Sequence, residues 1–162
     1  MSTRIEIPLD PANPRATAEA AIELCKSGDW SRGLSVLADL VKERGLSDSV
    51  PGIAYSYLGY GIARYEKKVK EGRRLCEHAV KVQFYNPDCH LNLARVCLLA
   101  RNRKRAVLAL SQGLALDPKN EGLRALHAEL GIRKRPVVGF LDRSNPVNKT
   151  LGRIRHGIKE DS

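Results

Sequence analysis

The feature that most constrains the fold is an internal repeat of paired helical patterns. Residues 87–120 contain two stretches in which apolar or small side chains recur every three or four residues, with a polar turn at 101–103 between them. Such spacing places side chains on one face of an α-helix. Two helices of about 13 residues joined by about three residues form an antiparallel helical hairpin. The recurring positions are Leu91, Ala94, Cys97 and Leu98, then Ala106, Leu110, Gly113 and Leu114.

The same scheme occurs twice more upstream. Residues 52–86 carry Leu58-Gly59 in the first pattern and Gly72 in the second, and a copy that begins near Pro14 contains the turn Gly28-Asp29-Trp30. Three tandem copies predict a stack of hairpins rather than a closed domain. A small residue in each second pattern is significant, because two helices approach to about 8 Å only where the facing side chain is small.

These copies resemble the tetratricopeptide repeat (TPR). In residues 87–120, Leu93-Ala94 stands at the family's Leu-Gly pair, Ala106 and Gly113 at its small-residue positions, and Asp117-Pro118-Lys119-Asn120 at its terminal DPxN. Leu58-Gly59 preserves the pair outright, and Gly28-Asp29-Trp30 matches the family's common turn. The resemblance implies an all-α fold, a right-handed TPR α-solenoid of antiparallel helix pairs.

The repeats leave segments at both ends. The predicted organisation is an N-terminal arm over 1–13, repeats over about 14–47, 52–86 and 87–120, a capping helix over 121–130, and a basic C-terminal arm over 132–162. A solenoid needs the cap because its last repeat exposes apolar surface. Within the arm, the apolar stripe Val147, Leu151, Ile154 and Ile158 predicts a short amphipathic helix over about 146–157. We expect this stripe to dock on the chain's own repeats. The alternatives are that it binds a partner protein or that the arm occupies the groove and blocks it.

Composition limits the partners and the cellular setting. The net charge of +10 predicts acidic partners. No N-terminal signal pattern and no run of about 20 apolar residues occurs, so we expect a cytoplasmic protein without membrane contact. The four cysteines form no CxxC pair and are expected to be small buried residues.

The resemblance also implies a ligand site. In this family the first helix of each hairpin lines a concave groove, and matching gives the candidates listed at the end of this paragraph. The Asn at position 92 matches a groove residue that holds a peptide backbone, the tyrosines offer flat amphipathic contact, and the arginines favour carboxylates. The subset that clamps a chaperone's C-terminal carboxylate needs Lys and Asn where this chain has Ala18 and Ile22. The groove candidates are Glu19, Ile22, Lys26, Tyr57, Tyr60, Arg64, Asn92, Arg95 and Leu99.

Basic residues form a second candidate surface. One cluster spans Lys67 to Arg74 and another spans Arg101 to Arg105, each at the turn within a repeat, and stacking would bring these turns onto one edge. Such charge fits a solvated surface, or contact with nucleic acid or another polyanion. Against nucleic acid, the basic tail has one aromatic residue, Phe140, which offers little for stacking bases. The predicted basic patch is Arg101, Arg103, Lys104, Arg105, Arg133, Lys134 and Arg135.

The sequence favours binding over catalysis. No phosphate-binding loop, dinucleotide fingerprint, zinc-protease motif or nucleophile elbow occurs, so we expect no enzyme activity, no metal and no cofactor. The leading hypothesis is a protein-protein interaction adaptor that binds a peptide or helix of acidic character in the concave groove. Alternatives are nucleic-acid or polyanion binding through the basic edge and tail, and self-assembly into a homo-oligomer through the tail helix.

Overall fold

The computed structural model describes residues 13–46 and 49–131, and within these ranges the chain forms seven α-helices and no strand. The all-α prediction is confirmed for this part of the chain. The helices are α1 Pro14–Lys26, α2 Trp30–Arg44, α3 Gly52–Tyr65, α4 Val69–Val82, α5 Pro87–Leu99, α6 Arg103–Leu116 and α7 Glu121–Glu129. The N-terminal arm before Asn13, the C-terminal arm and its predicted helix lie outside the described residues.

Polar caps fix where most of these helices begin. Five of the seven start after an Asn or Asp whose side-chain oxygen accepts a hydrogen bond from a backbone N–H of the first turn. Such a bond satisfies one of the amides that a helix start leaves unpaired. Pro14 and Pro87 occupy the first turn, where proline loses no hydrogen bond. The caps are Asn13, Asp29, Asn86, Asn102 and Asn120.

Small residues bring the helices of each pair into backbone contact. A Cβ added at Gly59 on α3 would lie 2.6 Å from the carbonyl oxygen of Gly72 on α4. In the first pair, a Cβ at Gly33 would lie 2.8 Å from the carbonyl oxygen of Ala21. Gly59 and Gly72 are small positions that the repeat predicted, and together with Gly33 they let the paired helices pack without intervening side chains.

The pairs are antiparallel and pack on one another through a shared core. Gly52 near the start of α3 faces Ala79 near the end of α4, whereas Gly72 faces Ala63 near the end of α3. The fully buried Tyr55 donates a hydrogen bond from its hydroxyl to the carbonyl of Gly45 (2.9 Å), which ties the second repeat to the end of the first. All four cysteines are buried, as the sequence predicted.

Helix α7 covers the end of the third pair. Leu123 and Leu126 are buried, and the Leu123 side chain fills the space beside Gly113 of α6. Gly131 follows the helix with φ of 57°, a conformation that ends helices and favours glycine. Among the described helices, none is long and apolar enough to cross a membrane.

Candidate functional site

Helices α1, α3 and α5, the first helix of each pair, carry all of the predicted groove residues. Two contacts set the register of α3 and α5: Asn92 bonds Ser56, and the Arg95 guanidinium lies over the Tyr60 ring. Because both residue numbers increase from one contact to the next, the two helices run parallel. Helix α1 packs against α3, so the side chains of α1, α3 and α5 form one continuous surface, which we call the concave face.

On α1 the predicted residues separate into surface and core. Glu19 and Lys26 are exposed, and the Lys26 ammonium pairs with Glu23 at 2.8 Å. Ile22 is only 5% exposed and belongs to the hydrophobic core, so it lies below the face rather than on it. The reason is that one side of α1 packs against both α2 and α3, and the position of Ile22 within its own repeat does not reveal the second contact.

On α3 the predicted tyrosines belong to an aromatic cluster that includes Trp30, the residue that sequence reasoning missed. The Trp30 ring stacks on Tyr57 with 6.0 Å between centroids, meets Tyr60 edge-on at 5.4 Å, and lies 5.6 Å from Tyr65. Trp30 was interpreted only as part of the turn between α1 and α2. The signal available was compositional: five of the eight aromatic residues fall between positions 30 and 65.

Tyr57 is buried in this cluster, 9% exposed, and its burial shifts the pKa of its hydroxyl. Burial, followed by the nearby charge of Asp88, raises the pKa of Tyr57 well above its ordinary value. Tyr60 is half-buried and Arg64 is exposed.

On α5 the structure differs from the expectation for Asn92, which is 1% exposed rather than open to solvent. Its amide Nδ2 donates to the Ser56 hydroxyl at 3.1 Å, and its Oδ1 accepts from Nη1 of Arg95 at 3.3 Å. Both ends of the amide are therefore used within the protein. Asn92 lies in the seam where α5 packs on α3, a contact between repeats that the pattern of a single repeat does not show.

Arg95 becomes the central group of the face because Asn92 holds it. Its guanidinium carbon lies 5.2 Å from the centre of the Tyr60 ring, and the residue is half-buried. A guanidinium fixed over an aromatic face loses little freedom when it binds a carboxylate. Leu99, one turn further along α5, is exposed and adds an apolar contact.

The described part of the predicted basic patch lies at the turn between α5 and α6. Arg101, Arg103, Lys104 and Arg105 are all exposed. Arg105 pairs with Glu77 of α4 at 2.9 Å, and Arg103 donates to the carbonyl of Leu130. The other members of the patch, residues 133–135, lie outside the described residues. No group of three or more His, Cys, Asp or Glu in the described ranges is arranged to hold a metal ion.

Solved structures with similar backbones decide the fold. The chain aligns with the TPR domain of OM64 from Arabidopsis over 70% of its own length and 90% of that domain, with a TM-score of 0.56 and 15% identity. The first TPR domain of Spaghetti (RPAP3), bound to the HSP90 peptide SRMEEVD, aligns over 78% of this chain and 96% of that domain, with a TM-score of 0.58 and 13% identity. This chain has the tetratricopeptide-repeat fold. No family model and no curated protein matches its sequence.

The TPR fold assigns each helix a position within a repeat. Helices α1, α3 and α5 are the first helices of three TPR pairs, and α2, α4 and α6 are the second. The resemblance seen in the sequence is thus confirmed at the level of the fold. At these identities the solved domains share an architecture with this chain, and function must be argued from the side chains on its concave face.

Proposed function

We propose that this protein is a non-enzymatic interaction adaptor whose concave face binds an extended peptide segment of acidic character. The observation that carries the proposal is the arrangement of Arg95, held by Asn92 over the Tyr60 ring and still half-buried at the surface. A cation fixed in this way favours a carboxylate, and the neighbouring rings of Tyr60 and Trp30 offer apolar contact beside it.

The charge along the face supports an oriented ligand. Arg64 and Arg95 make the part formed by α3 and α5 positive, whereas on α1 Glu19 pairs with Arg15 and Glu23 pairs with Lys26. We therefore assign the peptide's acidic residues to the α3 and α5 part, and neutral residues to the α1 part. The binding unit in this proposal is the three repeats, at about 14–47, 52–86 and 87–120, with α7 as the cap.

The peptide bound to the Spaghetti domain, SRMEEVD, is also acidic, which supports the general mode. Its manner of binding does not transfer by residue, because the first repeat of this chain presents no polar group at the positions the family uses to clamp a terminal carboxylate. Ala18 and Ile22 are buried there. We therefore expect internal acidic residues, rather than a free C-terminus, to be recognised.

A selection followed by variants tests the proposal. Twelve-residue random peptides displayed on phage are selected on the full chain, and the selected sequences are titrated as fluorescein conjugates and, unlabelled, by Trp30 emission. Trp30 is the only tryptophan and lies against Tyr60, so an occupant of the face should change its fluorescence. Selected peptides should be enriched in Asp and Glu, and amidating their C-termini should change Kd by less than about twofold, within about 0.4 kcal/mol.

Three variants locate the binding. Arg95→Ala and Tyr60→Ala should each raise Kd about tenfold or more, since each removes a contact group near the centre of the site. Arg124→Ala is the matched control, because Arg124 is an exposed arginine of the capping helix α7 and is not among the groove candidates. Equal affinity of the wild type and Arg95→Ala for the selected peptides would refute the proposal.

A further inference from the structure

The positive charge of the described chain is concentrated where the helices of the second and third repeats turn. Residues 64–74 and 101–105 carry ten basic and two acidic side chains. The connections at the opposite ends of the helices, residues 83–88 and 117–121, carry one basic and three acidic side chains. Basic residues that served only solubility would be spread over the surface rather than concentrated in the turns at one end of the helices.

The two basic turns belong to the same edge of the solenoid. Since α3 and α5 run parallel, their C-terminal ends lie side by side, and the turns that follow them are neighbours. We call the surface formed by the exposed side chains of 64–74 and 101–105 the basic edge. It lies at the C-terminal ends of α3 and α5, beyond the Asn92, Arg95 and Tyr60 group at the middle of these helices, and adjoins that group through Arg64.

Several cations of the basic edge have no ion-pair partner among the described residues. Lys68 pairs with Glu66 at 2.7 Å, and Glu77 pairs with both Arg73 and Arg105, at 3.5 and 2.9 Å. These pairs use Glu66 and Glu77, whereas Glu71 is in no ion pair in the part of the chain that the structure describes. Four exposed side chains have no hydrogen-bond or ion-pair partner within residues 13–46 and 49–131: those of Lys70, Arg74, Arg101 and Lys104. Unpaired charges of one sign on a continuous surface attract a polyanion.

The local sequence at this edge is poor for stability. Lys67 and Arg101 have φ of 61° and 56°, at the turn position where the first repeat has Gly28. Residues other than glycine are strained in this left-handed region, because their Cβ atom lies too close to the backbone. In addition, α6 begins with Arg103, Lys104 and Arg105 and has no acidic residue in its first turn, although the helix dipole disfavours cations there. Local choices that oppose stability concentrate at sites that serve another purpose.

An exposed aromatic ring adjoins these cations. Tyr65, the last residue of α3, is 50% exposed. Its ring lies 5.6 Å from that of Trp30, and the guanidinium of Arg64 lies 5.9 Å from its centre. Cations beside an exposed ring are the combination used to bind single-stranded nucleic acid, because phosphates pair with the cations and a base stacks on the ring.

We propose that the basic edge binds single-stranded nucleic acid, with the phosphates along Lys67, Lys70, Arg101 and Lys104 and one base stacked on Tyr65. An acidic protein segment would use the same cations but would gain little from the ring. A duplex keeps its bases paired and offers none to Tyr65. This activity goes beyond the proposed peptide binding and does not depend on it.

Fluorescence anisotropy of 5′-fluorescein-labelled U20 RNA with the full chain tests the proposal. We expect a Kd below about 10 µM at 50 mM salt. If about five phosphates are contacted, the affinity should fall roughly 100-fold between 50 and 200 mM salt, since each contact to a single strand contributes a slope of about 0.7. Tyr65→Ala should weaken binding at least about fivefold, and Tyr65→Phe, which keeps the ring, less than about twofold.

A charge-matched pair of variants locates the site. Arg101→Glu with Lys104→Glu should raise Kd at least about tenfold, by removing two phosphate contacts and repelling the strand. Lys119→Glu with Arg124→Glu makes the same change in net charge on exposed residues away from this edge, and should raise Kd less than about threefold at 200 mM salt, where distant charges are screened. If the first pair fails to fold by circular dichroism, the corresponding Gln pair replaces it.

Four results would overturn the proposal. They are absence of U20 binding at 50 mM salt, equal losses in the two charge-matched variants, unchanged affinity in Tyr65→Ala, and binding of a 20-base-pair duplex or of poly-L-glutamate as tight as that of U20. Arg95→Ala should leave U20 affinity within about twofold, about 0.4 kcal/mol. That variant therefore distinguishes failure of this proposal from failure of peptide binding on the concave face.

Discussion

A methyl group at position 59 should force apart the two helices of the second repeat. In Gly59→Ala the new Cβ would lie 2.6 Å from the carbonyl oxygen of Gly72, 2.9 Å from Sγ of Cys76 and 3.0 Å from Cβ of Leu75. The closest of these atoms is backbone and cannot rotate away. The helices would have to separate by roughly half an ångström or more to restore normal contact distances.

The expected change in the free energy of unfolding of Gly59→Ala is the sum of two opposing contributions. Overpacking a well-packed site costs about 1–3 kcal/mol, and contact with rigid backbone places Gly59→Ala at or slightly above the upper end. Replacing glycine by alanine within a helix stabilises the helix by about 1 kcal/mol. The net destabilisation should therefore be about 2 kcal/mol, which corresponds to a fall in Tm of about 6 °C for a chain of this size.

Urea unfolding followed by circular dichroism at 222 nm measures this difference. Gly122→Ala on α7 is the matched control, because the nearest atom to its added Cβ is the end of the flexible Leu91 side chain. We expect Gly122→Ala to change the free energy of unfolding by less than about 0.5 kcal/mol or to raise it, because the gain in helix propensity offsets a small side-chain shift. If Gly59→Ala were as stable as the wild type, the helices would not be in backbone contact and the packing described above would be wrong.

Three further variants and conditions follow from the structure. Arg101→Gly should raise the free energy of unfolding by about 0.5–1 kcal/mol in urea, because glycine tolerates the left-handed φ of 56°; Arg101→Ala, which keeps the Cβ, should give no such gain. Asn92→Ala should lower the free energy of unfolding by about 2 kcal/mol, because the variant loses two hydrogen bonds made by a buried amide. An unchanged urea midpoint would show that those bonds do not stabilise the protein. Burial raises the pKa of Cys25 to about 11 and that of Cys89 to about 12. Between pH 9 and these values the thiols ionise in the unfolded chain before they do in the folded one, so stability should fall as pH rises, by up to about 1.4 kcal/mol per pH unit for each thiol. Urea midpoints at pH 8 and pH 10.5 test this, and equal midpoints would contradict it.

The sequence was sufficient for the fold because each local signal agreed with the others. Periodic apolar residues, the prolines and Asn caps at helix starts, and glycines at the crossing points all indicate paired helices. The tandem copies then determine the architecture, since each pair must cover the apolar side of the next. The confirmed all-α solenoid therefore follows from features within single repeats and from their repetition.

The concave face was harder to predict because it depends on contacts between repeats. Periodicity within α5 gives no reason for Asn92 to be buried, and only the Ser56 hydroxyl on the neighbouring helix explains it. Trp30 likewise joins the face through Tyr57 and Tyr60, which belong to the next repeat. Sequence analysis identified Arg95 as a groove residue, but the ring and amide that position it became apparent only in three dimensions.

Amide chemical-shift mapping with a phage-selected acidic peptide tests the central claim most directly. If the concave face is the binding surface, the perturbed backbone amides should cluster on α1, α3 and α5, with the largest changes near Tyr60 and Arg95 and in the indole N–H of Trp30. Perturbations confined to α2, α4 and α6 would place the ligand on the opposite side of the solenoid and contradict it.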